Sequence, residues 1–303
     1  MDSFFRLFSG VCLVLMLLSL PSCFRPKDVP GDERMKAPGG ESRPVTEEWP
    51  KDEGGGGMVM KKTANNDGEI PNADASRLPI VMRKAELPDA LYGTIQAAFR
   101  DDPGFIVSLL LCLDGDPSLR ELIDKQHPLS AGYAPGDLVT LSGGDYRVNR
   151  AGMTLRRPAV TALEEMAAAA RADGVTLLVS STYRSHDYQI EVYNRNVREL
   201  GQEAADRESA RPGFSQHQSG LVVDFGSVDD SFAQTAAGRW MAANASRFGW
   251  SLSFPDGYEA VTGYRWESWH FRYVGKELAA FIDNYFDGIQ QYALRFLHEW
   301  ELF

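Results

Sequence analysis

Three short blocks of the chain bring together two histidines, two carboxylates and an arginine. In order they are Tyr183-Arg184-Ser185 with Gln189, then Ser215-Gln216-His217-Gln218-Ser219-Gly220-Leu221-Val222-Val223-Asp224, then Glu267-Ser268-Trp269-His270. Two neutral imidazoles and a carboxylate make the three-ligand set of a catalytic zinc site, which keeps a fourth position open, and a further glutamate beside the last ligand supplies a base. An isolated histidine is more often a hydrogen-bonded structural residue than a ligand, so placement carries the reading. Of the histidines His127, His186, His217, His270 and His298, two, His217 and His270, fall inside these motifs.

His217 stands three residues before Gly220 and seven before Asp224, so a tight turn at the glycine can return the chain along a strand that ends at the aspartate. Leu221, Val223 and Phe225 then share one side of that strand, and Val222 and Asp224 the other. A carboxylate on so apolar a strand is costly unless a cation or an arginine compensates it. Glu267 and His270 lie three apart, an offset that separates two side chains across a flat strand. Glu267 must therefore sit in a turn or bulge if both are to reach one ion. The expected roles are His217, Asp224 and His270 on a single zinc, water in the fourth position, and Glu267 as the base that takes its proton and passes it to a leaving amine.

Arg184 follows a buried strand, where an unpaired guanidinium would be expensive. Its fork of donors suits the free carboxylate at the end of a peptide, or else a structural salt bridge. Ser215 and Gln189 offer hydrogen bonds to the same carboxylate or to the scissile amide, against a capping role. Tyr183, Trp266 and Trp269 fit an apolar wall of the cleft or a place in the core.

Several elements must position these residues. A helix is predicted over Arg157 to Ala172, with Pro158 in its first turn and Gly174 beyond its end. A buried strand follows over Val175 to Tyr183, then a helix from an N-cap at Ser185 to about Leu200. Gly201 to Phe214 reads as a loop over the cleft mouth, Leu221 to Phe225 as a strand, Ala233 to Phe248 as a helix and Trp269 to Val274 as a strand. Leu278 to Phe303 reads as one or two helices. Upstream, apolar spacing between Leu78 and His127 predicts two or three helices broken at Asp102-Pro103 and Asp114 to Pro117, packing on the flank or narrowing the cleft. The order suits an α+β domain with a small, largely antiparallel sheet flanked by helices, not a doubly wound parallel sheet.

The 303 residues are expected to divide into a signal segment (1–22), a disordered tether (23–77), a helical extension (78–131) and a zinc peptidase domain with C-terminal helices (132–303). Phe4 to Leu20 is apolar and Leu20-Pro21-Ser22-Cys23 resembles a lipobox, which makes Cys23 a lipidation site. The tether is rich in Pro, Gly and charge and would let an anchored enzyme sample the adjacent cell wall. Cys112 falls in an apolar run too short to span a bilayer and reads as a buried, inert thiol. A net charge of −11 excludes a nucleic-acid partner, whose phosphates need a basic face.

The three blocks, extended to Ser181-Thr182-Tyr183-Arg184 and Glu267-Ser268-Trp269-His270-Phe271-Arg272-Tyr273, resemble those of VanY-type zinc D-alanyl-D-alanine carboxypeptidases, over about Gly132 to Lys276. The resemblance implies the α+β fold shared with hedgehog signalling domains, zinc on His217, Asp224 and His270, Glu267 as base and Arg184 for substrate. It implies removal of terminal D-alanine from peptidoglycan stem peptides outside the membrane; a monomer is expected, although the sequence does not read out the oligomeric state. L,D-carboxypeptidase, D,D-dipeptidase or endopeptidase action shares the same metal site, and a non-catalytic zinc-containing wall-binding module is the reading from another class. Thr182, Val222 and Ser268 stand where glycine, alanine and proline are common in the family.

Overall fold

The computed structural model describes residues 76–303. The signal segment, Cys23 and almost all of the expected tether lie outside the described residues. Arg77, the last tether residue by sequence, is already part of the fold, with its guanidinium over the Trp300 ring at 5.0 Å.

Strands β1 (Leu138–Thr140) and β3 (Thr154–Arg156) form an antiparallel pair. The main sheet has five strands in the order β2 (Tyr146–Val148), β4 (Leu177–Ser181), β5 (Val222–Phe225), β7 (His270–Tyr273), β6 (Trp250–Leu252). Only the β2–β4 pair is parallel, so the largely antiparallel sheet expected from the sequence is present. One face packs on α4 (Arg157–Ala172) and α7 (Ala236–Asn244). Leu163, Met166 and Met241 meet Leu221, Val223 and Phe225 there, the alternation the sequence predicts for β5. Burial of a large aliphatic or aromatic side chain contributes about 1.5–3 kcal/mol, so this face anchors the sheet.

A second apolar layer joins the two ends of the described chain. Helices α1 (Leu78–Lys84), α2 (Asp89–Asp101) and α3 (Pro103–Asp114) pack against α9 (Lys276–Tyr285) and α10 (Gln290–Glu301). Pro103 in the first turn and the Asp102 carboxylate, which accepts from the Gly104 N–H at 2.8 Å, set the start of α3. Cys112 is buried in this layer, and burial pushes its thiol up to about 12.

The segment read as a loop over the cleft mouth carries a helix, α6 (Gln202–Glu208), which follows α5 (His186–Leu200) across Gly201. Seven residues with Ala205 as the buried contact give too little apolar periodicity to mark it. The stretch from Ala233 to Phe248 is α7 flanked by 3₁₀ turns over Asp230–Gln234 and Ala245–Phe248. A short α8 (Glu259–Thr262) precedes the last block.

Candidate metal centre

The cross-strand register places the first two donors side by side. Asp224 on β5 pairs with His270 on β7, so both side chains leave the same face, opposite the apolar contacts of Val223 and Phe271. His217 arrives from a 3₁₀ turn over Gln216–Ser219 that ends at Gly220, with φ of 71°. A Cβ at Gly220 would lie 3.0 Å from Arg156 Cγ and 3.1 Å from Leu138 Cδ2, so a side chain there would be strained by the backbone conformation and would crowd both neighbours. Glu267 lies before β7 in the turn that its spacing demands. The His270 N–H donates to the Glu267 carbonyl at 3.1 Å, and Glu267 Oε2 comes 3.3 Å from His270 Nδ1.

His217, Asp224 and His270 each offer a ligand atom, and the three atoms lie within 4.8 Å of one another, all buried. His217 Nδ1 donates to the Thr182 carbonyl at 2.7 Å, which leaves Nε2 as an acceptor, 3.2 Å from Asp224 Oδ2. His270 Nε2 donates to Gln216 Oε1 at 3.2 Å, which leaves Nδ1 as an acceptor, 3.0 Å from Asp224 Oδ1. That oxygen is buried and receives no hydrogen bond. Three lone-pair donors therefore converge with no proton between them, an arrangement that a cation of zinc's ligand preference resolves.

The electrostatics agree. Burial, with the Arg184 charge, pushes His217 down to about 4, so its ring is neutral at physiological pH, as a ligand must be. Glu267 moves the other way. Burial, reinforced by Asp224, lifts it well above the ordinary glutamate value.

These side chains line a cavity of about 320 Å³ that also takes in Ser181, Arg184, Ser215, Phe254 and Trp269. Arg184 reaches it with 16% of its side chain exposed and stands 3.9 Å from Asp224 Oδ2. Its Nη1 donates to Gln189 Oε1 at 2.7 Å. Gln189 itself is fully buried and donates to the Ala210 carbonyl, so it braces Arg184 from behind and does not line the cavity. Ser215 sits at the N-cap position of the 3₁₀ turn without making a cap bond, and it is among the residues that line the cavity. Trp269 belongs to both the wall and the core, whereas Tyr183 and Trp266 are outside the wall. Thr182 departs from a common glycine at no cost to His217, because only its carbonyl is used.

Two neighbours of the metal cluster went unnoticed in the sequence. Gln216 accepts from His270 and from Ser253 Oγ at 2.8 Å, and Phe254 lies over the His270 ring with centroids 4.7 Å apart. Neither residue type carries a chemical signal of its own, although Gln216 adjoins a ligand.

A family model described as VanY, D-alanyl-D-alanine carboxypeptidase, matches residues 152–276. The Bacillus subtilis protein YodJ is 34% identical over 172 residues, 54% of this chain and 62% of the relative. The D-alanyl-D-alanine carboxypeptidase of Enterococcus faecalis is 34% identical over 173 residues, 53% of this chain and 60% of the relative. Each match thus spans about three-fifths of the relative's length. The solved structure of the LdcB LD-carboxypeptidase is 34% identical with a TM-score of 0.51, covering 55% of this chain and 85% of that one.

Proposed function

The chain belongs to the VanY family of D-alanyl-D-alanine carboxypeptidases, and on that premise we propose that it is a zinc-dependent exopeptidase removing the terminal D-alanine of peptidoglycan stem peptides. The observation that carries the proposal is the buried convergence of His217, Asp224 and His270, with Glu267 3.3 Å from one ligand. His217 Nε2, His270 Nδ1 and the Asp224 carboxylate would hold the zinc. A bound zinc supplies Lewis acidity, which lowers the pKa of water towards ~7 and polarises the scissile carbonyl.

The remaining work belongs to the chain's own groups. Glu267 accepts the proton of the attacking water and returns it to the leaving amine, a task suited to a carboxyl whose proton affinity is raised. Arg184 receives the free carboxylate of the substrate through the donors that Gln189 leaves open, and Ser215 adds a hydroxyl at the same wall. Trp269 closes the side of the cleft, and the burial of the whole set strengthens each charge interaction.

L,D-cleavage is the second reading, supported by the likeness to LdcB. The wall-binding alternative is disfavoured because base and arginine both face the metal cluster. Mass spectrometry of products from muropeptides with penta- and tetrapeptide stems, with and without chelator, tests both readings. Loss of one D-alanine from pentapeptide stems alone supports the first; loss from tetrapeptides supports the second. Unchanged turnover in excess chelator contradicts both. Export, lipidation at Cys23, the tether and a monomeric state complete the proposal, and they rest on the sequence. The mass of the mature N-terminus checks the lipid.

A further inference from the structure

Beside the metal cleft lies a second cavity of about 330 Å³, which shares Ser209, Phe214 and Tyr264 with the cleft wall and adds Lys125, Asp206 and Arg211. We propose that this cavity is a subsite for a carboxylate on the retained part of the substrate, with Lys125 as its receptor; the inference rests on the peptidase reading above.

The acceptors and donors of the cavity are unequally used. Asp206 is saturated. Its Oδ1 accepts from Tyr193 Oη at 2.6 Å and Arg211 Nε at 3.0 Å, and its Oδ2 accepts from Gln202 Nε2 at 3.0 Å and Arg211 Nη2 at 2.9 Å. A carboxylate has about four lone-pair sites, so none is left for a cationic ligand. Lys125 is not saturated. Its ammonium donates to the Asp206 carbonyl at 2.7 Å and rests 4.6 Å from the centre of the Tyr264 ring. Of its three N–H groups, two remain for a ligand. Two cations against one fully engaged carboxylate give the cavity a positive balance on a chain whose net charge is −11.

Lys125 is also held in place before any ligand arrives. Its stem lies against Gly263, which has a φ of 81°, and a Cβ there would come within 2.9 Å of Lys125 Cδ. A pre-placed cation avoids much of the ordering cost that a free lysine incurs on binding. The route from the reacting centre is paved with rings: Phe254 lies over His270 and packs on Tyr264 with centroids 4.8 Å apart, and Tyr264 carries Lys125. Lys125 lies outside the 152–276 match, so the segment before the matched residues supplies part of this surface. The ligand class is a peptide with a free carboxylate upstream of the scissile bond. In a stem peptide that group belongs to the γ-linked glutamate or to a diamino diacid.

The test compares synthetic stem peptides with the same D-alanyl-D-alanine end, amidated in turn at each upstream carboxylate, on the parent and Lys125→Met proteins. The loss of kcat/KM in the variant, carried in KM, is expected to be about 5- to 20-fold larger on the free acid than on one of the amides, as befits a charged hydrogen bond. Lys125→Arg is expected to restore the preference for the acid. An equal loss on every peptide would overturn the subsite and leave Lys125 a structural role. Calorimetric binding of the same peptides to the Glu267→Ala protein reads the preference without turnover. Absence of cleavage by the parent would then count against the peptidase reading, and absence of any acid preference in binding against the subsite.

Discussion

Around Phe281 the helical layer buries ring against ring, with Phe105, Phe286 and Phe296 at centroid distances of 5.4, 5.2 and 6.4 Å. The sheet face that carries Asp224 and His270 instead buries a carboxylate, two imidazoles and a second carboxyl at similar depth. The first region is stabilised by what it contains. The second holds groups that burial alone disfavours, and a bound cation offsets that cost. Within the described residues, stability and chemistry are thus separated by layer. Substitutions in the two regions should therefore fail in different ways.

The largest expected effect is at Glu267. Glu267→Gln should lower kcat by about 10²- to 10⁴-fold while bound zinc stays stoichiometric, measured by steady-state kinetics and metal analysis. A Gln variant with parental turnover would move the base elsewhere and blur the contrast between the layers. Phe281→Ala should show the reverse. It should cost about 3–5 kcal/mol of stability by denaturant titration, while kcat per folded molecule is retained. A kcat that fell in step with stability would show that the helical layer reaches the chemistry.

A smaller effect is expected where the sheet layer meets its supporting contacts. Gln216→Leu removes the acceptor for His270 Nε2–H and should weaken zinc binding by about 10- to 100-fold in a chelator competition, without a matching loss of folding. The smallest effect concerns Cys112. Its folded-state value of about 12 lies above the 9.0 of the exposed thiol, so the folded protein holds this proton more tightly. Its contribution is fully present below pH 9 and is lost as pH rises towards 12. Native protein at pH 8 should resist iodoacetamide and react on unfolding, as mass shift reads. Rapid native alkylation would show the helical layer to be open.

The long helices were legible because length, caps and periodicity agree. Arg157–Ala172 and the start of α5 at Ser185 stand where the sequence puts them. Strands β2, β3 and β6 have three residues each, too few to display alternation, and were not seen. The residue types of the candidate metal cluster were readable, as was the need for a turn at Glu267, since imidazoles and carboxylates at such spacing have few other uses. Gln189, expected to meet the substrate in the cleft, instead supports Arg184 from behind. Gln216 and Lys125 were invisible because an amide and a lysine are common everywhere, and only the fold shows what each faces.

The most direct test of the account is the metal shell itself, read by X-ray absorption on protein loaded with one equivalent of zinc. The account predicts two imidazole nitrogens at about 2.0–2.1 Å with oxygen completing the shell, and loss of one nitrogen in His270→Ala. A shell that contains sulfur, or a spectrum that is unaltered by His270→Ala, would contradict it.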